Sequence, residues 1–171
     1  MLGLRTRVHE CLFVLLLALA GCDSNSRNAG TGDKDIFQYK NSYVGDNSAI
    51  GSILGMLPQS DRLKQFSLST AEKPYRITVQ YNEAASQMNE SEIRETVIFN
   101  ATFLFALVRN VDQVHLELEG RSYLITREQL QSWYGKDLDQ FENEQALRNL
   151  TQEFIPDKGK VDQLFTKLQQ Q

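Results

Sequence analysis

Val97-Ile98-Phe99-Asn100-Ala101-Thr102-Phe103-Leu104-Phe105-Ala106-Leu107-Val108 is apolar at every position except Asn100 and Thr102. Glu92 and Glu95 lie about a turn upstream and Arg109 follows directly, which is the order of charge that a helix dipole favours. Ser91 is a suitable N-cap ahead of them, so the stretch is expected to be the later part of a long helix closed by Arg109-Asn110. A helix apolar on all sides either crosses a membrane or is buried in a core. Crossing takes about 20 apolar residues, and this run is shorter and broken by two polar side chains. It is therefore expected to be the central core helix, and the alternative for part of its surface is an exposed docking patch.

The segments on either side alternate with a period of two. Upstream, Phe66-Ser67-Leu68-Ser69-Thr70 and Tyr75-Arg76-Ile77-Thr78-Val79-Gln80-Tyr81 read as half-buried strands joined by the short link Ala71 to Pro74. Downstream, Val114, Leu116 and Leu118 fall on one face and His115, Glu117 and Glu119 on the other, and Gly120-Arg121 turns the chain into Ser122-Tyr123-Leu124-Ile125. The order hairpin, helix, hairpin, helix predicts an α+β domain. Its expected form is an antiparallel sheet of two hairpins packed against the central buried helix, with C-terminal helices, rather than a doubly wound parallel sheet.

The flanks add shorter elements. Ile36 to Val44 is rich in aromatic and β-branched residues and is expected to be extended. Gly45-Asp46-Asn47-Ser48 is a turn cluster in which Asp46 or Asn47 caps a short helix. Ile50, Ile53, Leu54 and Leu57 form the apolar stripe of that helix, and Pro58 stops it. Gly51 and Gly55 each cost that helix about 1 kcal/mol relative to alanine; close packing on a neighbouring backbone is the expected reason for them, and the alternative is a surface that a partner must approach closely. At the other end, Thr126 and Gln129 form a capping box for a helix that buries Leu130 and Trp133 or Tyr134 and ends at Gly135. Asn143 caps a further helix carrying Ala146, Leu147, Leu150 and Phe154, and Val161, Leu164, Phe165 and Leu168 give the last one its apolar face.

The start of the chain speaks of location. Arg5 and Arg7 precede the apolar block Cys11 to Ala20, which is too short to span a bilayer and reads as a secretory signal over residues 1–21. Leu19-Ala20-Gly21-Cys22 resembles the lipobox of bacterial lipoproteins. That resemblance implies a diacylglyceryl group on the Cys22 sulfur and cleavage that leaves Cys22 at the N-terminus. Its lipid chains are then the anchor that holds the protein to the outer side of the cell membrane. Residues 23–35 carry little apolar surface and read as a flexible tether of about 20 Å mean reach, leaving 36–171 as one domain. The formal net charge is −4, and losing Arg5, Arg7 and Glu10 with the signal makes it one unit more negative. Such a domain is a poor binder of nucleic acid, which calls for clustered Lys and Arg.

Reactive groups are few. Cys11 leaves with the signal and Cys22 is used for lipidation, so neither a disulfide nor a thiol nucleophile is expected. His115 is the one histidine after residue 21, which argues against a histidine-built metal site, and no cofactor is called for. With Glu117 and Glu119 it offers an acid–base or weak metal grouping, although a solvated strand face accounts for the same residues. No Gly-x-Ser-x-Gly elbow or phosphate-binding loop is present.

Tyr39 to Gly51, with Leu57-Pro58, Phe66-Ser67-Leu68 and Pro74 to Tyr81, resembles an uncharacterised lipoprotein domain common in Bacillus-type bacteria. Related domains are fused to membrane-embedded metallopeptidases of the β-lactam-sensor type. The resemblance implies a domain that senses or binds something outside the membrane, and it brings no catalytic motif. The expectation is a non-enzymatic binding or sensory module for a membrane protein or an envelope ligand, with Tyr39, Tyr43, Asp46 and Asn47 as its contact surface. The alternatives are an envelope hydrolase around His115 and Glu117, and a purely structural lipoprotein.

Overall fold

The computed structural model describes residues 35–118 and 120–168, so the expected signal segment, Cys22, the tether up to Lys34, and Glu119 lie outside the described residues. In chain order the elements are a 3-10 turn at Ile36–Tyr39, helix α1 (Asn47–Met56), strands β1 (Leu63–Ser69) and β2 (Arg76–Tyr81), and helix α2 (Glu90–Leu107). Strands β3 (Gln113–Leu118) and β4 (Arg121–Thr126) follow, and then helices α3 (Arg127–Tyr134), α4 (Glu144–Phe154) and α5 (Lys158–Leu168).

The strands form one sheet in the order β1-β2-β3-β4. Both expected hairpins are present, since β1 pairs antiparallel with β2 and β3 antiparallel with β4. The expectation of a wholly antiparallel sheet is corrected at the centre, where β2 and β3 run parallel, with Ile77 opposite Val114 and Val79 opposite Leu116. The reason is α2, whose 18 residues are about 27 Å long. That helix carries the chain back to the end of the sheet where β2 began, and parallel neighbours require a crossover of this length. The sheet is therefore mixed, within an α+β architecture.

One face of the sheet is apolar. Ile77, Val79, Val114, Leu116, Leu118 and Ile125 are fully buried, and Tyr81 and Tyr123 nearly so. Against this face lies α2, in which every residue from Ala101 to Leu107 is buried. Leu130, Tyr134, Leu147, Leu150, Leu164 and Phe165 of the last three helices extend the same core. The opposite face, with Arg76, Thr78, Gln80, Gln113, His115, Glu117 and Ser122, contains no buried side chain.

Three local expectations change. Helix α2 starts earlier than Ser91: Asn89 is its N-cap, accepting from the Glu92 N–H at 3.0 Å while the Glu92 carboxylate accepts from the Asn89 N–H at 2.8 Å. This reciprocal box outcompetes a lone serine because it satisfies two free donors at once. Residues Ile36–Tyr39 form a 3-10 turn instead of a strand, because the Asp35 carboxylate caps the Phe37 N–H at 2.9 Å. Finally, packing does not demand the glycines of α1. A Cβ at Gly51 would meet the Phe66 ring at an ordinary 3.5 Å, and one at Gly55 would meet nothing within 4 Å. Gly55→Ala is accordingly expected to stabilise the domain by about 0.5–1 kcal/mol, seen as a higher denaturation midpoint with an unchanged slope.

The two polar residues of the central stretch find partners inside. Asn100 donates to the Pro58 carbonyl at 3.1 Å and to the Tyr81 hydroxyl at 2.7 Å, and the Thr102 and Tyr134 hydroxyls lie 2.9 Å apart. Burial pushes the Tyr81 hydroxyl up to about 12 from its ordinary value of 10.0, against the opposing effect of the Asn100 hydrogen bond. The Tyr134 hydroxyl is also raised, by burial, against the opposing bond to Thr102. A phenol whose folded value is raised binds its proton longer in the native state than in the unfolded chain. Its contribution is therefore complete below pH 10 and is lost as pH climbs through the folded value. Denaturation midpoints should fall steadily from about pH 10 to pH 12, with about 2 kcal/mol lost through Tyr81 alone by pH 12.

Candidate functional site

The segment from Tyr39 to Asn47 is held in place by the C-terminal end of α2. The last carbonyls of any helix lack partners within it, and here they are met by side and main chains from elsewhere. Lys40 Nζ donates to the Ala106 carbonyl at 3.1 Å and to the Asp139 carbonyl at 3.0 Å. The Ser42 N–H donates to the Leu107 carbonyl at 3.1 Å, and the Arg109 N–H returns to the Ser42 carbonyl at 2.8 Å, an isolated parallel bridge. Arg127 Nη2 donates to the Val108 carbonyl at 2.7 Å. Two cations thus sit where the helix dipole is negative.

Beyond the bridge the backbone remains fixed. The Val44 N–H donates to Asn110 Oδ1 at 2.8 Å, its side chain is fully buried, and the Asp46 N–H closes a turn on the Tyr43 carbonyl at 2.9 Å. The Asp46 carboxylate then caps α1 by accepting from the Ala49 N–H at 3.0 Å. Of the four residues expected to form a contact surface, Tyr43, Asp46 and Asn47 are exposed, whereas Tyr39 is half-buried and packs on the core. Tyr43 is 52% exposed, the one large hydrophobic side chain in that state among the described residues. Its neighbours Ser42 and Val44 are both tied to α2 or the residues just after it. The aromatic ring is consequently presented on a backbone with little freedom left to lose on contact.

The second place with chemical potential is the polar sheet face. A chain of side-chain contacts crosses all four strands: Gln65 Nε2 to Gln80 Oε1 at 2.5 Å, Gln80 Nε2 to Glu117 Oε2 at 2.7 Å, and His115 Nε2 to Ser122 Oγ at 2.5 Å. Glu117 Oε1 lies 3.7 Å from His115 Nδ1, an ion-pair distance rather than a hydrogen bond. The structure therefore places His115 and Glu117 together and adds Ser122, which the sequence reading left out. Alternation in β4 was the available signal, since Ser122 opposes Glu117 in the pairing and so shares its face. Serine, histidine and glutamate in this order can polarise a hydroxyl. The cavity of about 410 Å³ beside Ser122, however, is walled by Glu90, Arg121, Tyr123, Phe165 and Leu168, with neither His115 nor Glu117 in its wall. The base is therefore not part of the wall of this cavity.

A cleft of about 590 Å³ lies at the end of the sheet between Pro74, Asp112, Gln113 and the start of α3. Of the two carboxylates that line it, Asp112 is already engaged, because its Oδ2 accepts from the Tyr75 N–H at 2.7 Å. Among the described residues no group of three His, Cys, Asp or Glu side chains could hold a metal ion, and no helix is long and apolar enough to cross a membrane.

A mixed four-stranded sheet with one helical layer, and a rigid aromatic turn at the end of its crossover helix, defines the class of domain. Residues 36–128 match the family described as Domain of unknown function (DUF4825), and the chain belongs to that family. The match runs from the first residue of the 3-10 turn into the first turn of α3, so it contains the Tyr43 turn and the whole sheet. No curated protein and no solved structure matches the chain.

Proposed function

We propose that this protein is a lipoprotein of the Bacillus-type setting, anchored to the extracytoplasmic face of the cell membrane through acylated Cys22. In this proposal it acts there as a non-enzymatic binding or sensory accessory module for a membrane protein or envelope ligand. The observation that carries the binding role is the exposed ring of Tyr43 on a turn fixed from both sides by α2 and Asn110. Aromatic side chains with little conformational entropy to lose are favoured contact residues. Asp46 and Asn47, on the same turn, supply polar groups around it. A tether of the length of residues 23–35 keeps such a surface close to the bilayer.

Crosslinking in intact cells tests this function. Tyr43→Ala should reduce recovery of a specific partner at least tenfold, as truncation of a central contact does, with the unfolding midpoint unchanged. A partner recovered equally with Tyr43→Ala and Asp46→Ala would sink the assignment of this surface. Labelled palmitate incorporation that is lost on Cys22→Ser checks the anchor separately.

The Ser122–His115 contact favours a second function, an envelope hydrolase using Ser122 with His115 and Glu117. Its test is labelling of the purified protein by a fluorophosphonate probe. Labelling that disappears in both Ser122→Ala and His115→Ala would support it, and absence of labelling in the unaltered chain would exclude it.

A further inference from the structure

The Tyr43 turn lies close to the residue at which the tether meets the domain. Eight positions separate Asp35 from Tyr43, and that segment is folded on itself. The Gln38 N–H donates to the Asp35 carbonyl at 3.1 Å, the Lys40 N–H to the Phe37 carbonyl at 2.9 Å, and the Ser42 N–H to the Tyr39 carbonyl at 3.1 Å. A path that begins with four residues of 3-10 turn covers about 20 Å or less, even with the later residues extended. Through the bridge between Ser42 and Val108 the turn also sits at the C-terminal end of α2. The first turn of that 18-residue helix is about 27 Å away along its axis. A chain held at residue 22 therefore has one end of α2 next to its attachment and the other end remote from it.

The near end presents groups that suit a phospholipid head-group layer. Tyr43 is 52% exposed, and a tyrosine, apolar in its ring and polar at its hydroxyl, is favoured where membrane meets water. Arg109, whose N–H holds the Ser42 carbonyl, is exposed, and its guanidinium has no ion-pair partner among the described residues. A guanidinium matches phosphate oxygens through two parallel hydrogen bonds. The carboxylates beside the turn are already used: Asp35 accepts from the Phe37 N–H, Asp46 from the Ala49 N–H, and Asp139 from Arg127. Exposed acids gather at the remote end instead, where Glu83, Glu90, Glu92 and Glu95 lie just before or within the first turns of α2. The negative potential of a leaflet with anionic lipid decays within about 10 Å, so it acts on whichever end is nearer. Repulsion thus turns the glutamate end outward.

We propose that the Tyr43 turn is the membrane-facing end of the domain. The Tyr43 ring enters the head-group layer, Arg109 pairs with lipid phosphate, and the first turn of α2 points away from the bilayer. The inference rests on the proposed Cys22 anchor, and it names the phospholipid head-group layer as a partner of the Tyr43 surface.

The test uses the lipidated chain purified from membranes and placed in vesicles of mixed zwitterionic and anionic phospholipid carrying a head-group nitroxide. Acylated Cys22 has no free thiol, so Ser48→Cys beside the turn and Ser91→Cys at the start of α2, both exposed positions, each accept a single fluorescent label. Quenching at position 48 is expected to exceed that at position 91 several-fold, and Tyr43→Ala should remove most of the excess. Equal quenching, stronger quenching at position 91, or an excess unchanged in Tyr43→Ala overturns the proposal. An excess found in native membranes but absent from protein-free vesicles also overturns it and assigns the turn to a membrane protein. Flotation keeps the two readings apart. A chain that does not float with the vesicles refutes the anchor and the proposal with it, whereas one that floats with equal quenching refutes the orientation alone.

Discussion

Phe103→Ala is expected to destabilise the domain by about 3–5 kcal/mol, the range for removing a fully buried aromatic side chain. Phe103 has no exposed surface, and its ring stacks on Phe99 with centroids 4.5 Å apart and planes within 15°. The guanidinium of Arg148 on α4 lies over both rings, 5.1 Å from Phe99 and 5.6 Å from Phe103. Truncation therefore opens a cavity between α2 and α4 and also removes one of the two faces on which that cation rests. The surrounding groups have little room to close the gap, because Val97, Ala101, Leu104 and Leu107 on the same helix are themselves fully buried. Domains of this size are stable by only about 5–15 kcal/mol in total, so the loss takes a large fraction. Thermal unfolding should show a midpoint lower by roughly 10–20 °C. Phe103→Leu keeps most of the volume and should cost less than about 1.5 kcal/mol. A loss below 1 kcal/mol for the alanine variant would mean that α2 is not the centre of the core.

What local pattern controls was legible in the chain. The burial of residues 97–108, of which Phe99 alone is half-buried, follows from their lack of a polar side, and the Thr126–Gln129 capping box, the αL residue Gly135 and the Asn143 cap all appear as expected. Each of these depends on residues within one turn of one another. What depended on the course of the chain was less accessible. Whether β2 and β3 run parallel is set by how α2 returns across the sheet, which no alternation of apolar and polar residues records. The surface around Tyr43 was legible as a turn with an aromatic and a cap, but its rigidity was not. That rigidity comes from Lys40, Ser42 and Asn110 meeting the end of α2 and the residues after it, partners separated by 66 positions in the case of Lys40 and of Val44 with Asn110. The Ser122 contact with His115 was readable in principle from strand parity, once the hairpin register was known.

The end of α2 supports the other large expected effect. Arg127→Ala should cost about 3 kcal/mol, although the residue sits at the start of a short helix with its side chain 20% exposed. Its guanidinium joins four parts of the chain. Nη2 donates to the Val108 carbonyl at 2.7 Å, Nε to the Val111 carbonyl at 3.0 Å, and Nη1 to Asp139 Oδ1 at 3.2 Å. The same group lies 5.4 Å from the centre of the Phe105 ring. Val108 and Val111 are themselves buried, so removal of the fork leaves carbonyls with restricted access to water, and an unsatisfied buried acceptor costs about 1–3 kcal/mol. Lysine cannot restore this arrangement, because a single ammonium on a flexible stem does not reach three acceptors in the planar geometry of a guanidinium. Arg127→Lys should accordingly recover less than half of the loss in a denaturant titration. Because Val108 is the bridge partner of Ser42, the loss should extend to the candidate surface. Amide hydrogen exchange at Arg109 and Val44 should accelerate in Arg127→Ala well before the protein unfolds. Full protection of those two amides would show that Lys40, Ser42 and Asn110 hold the Tyr43 turn without the arginine.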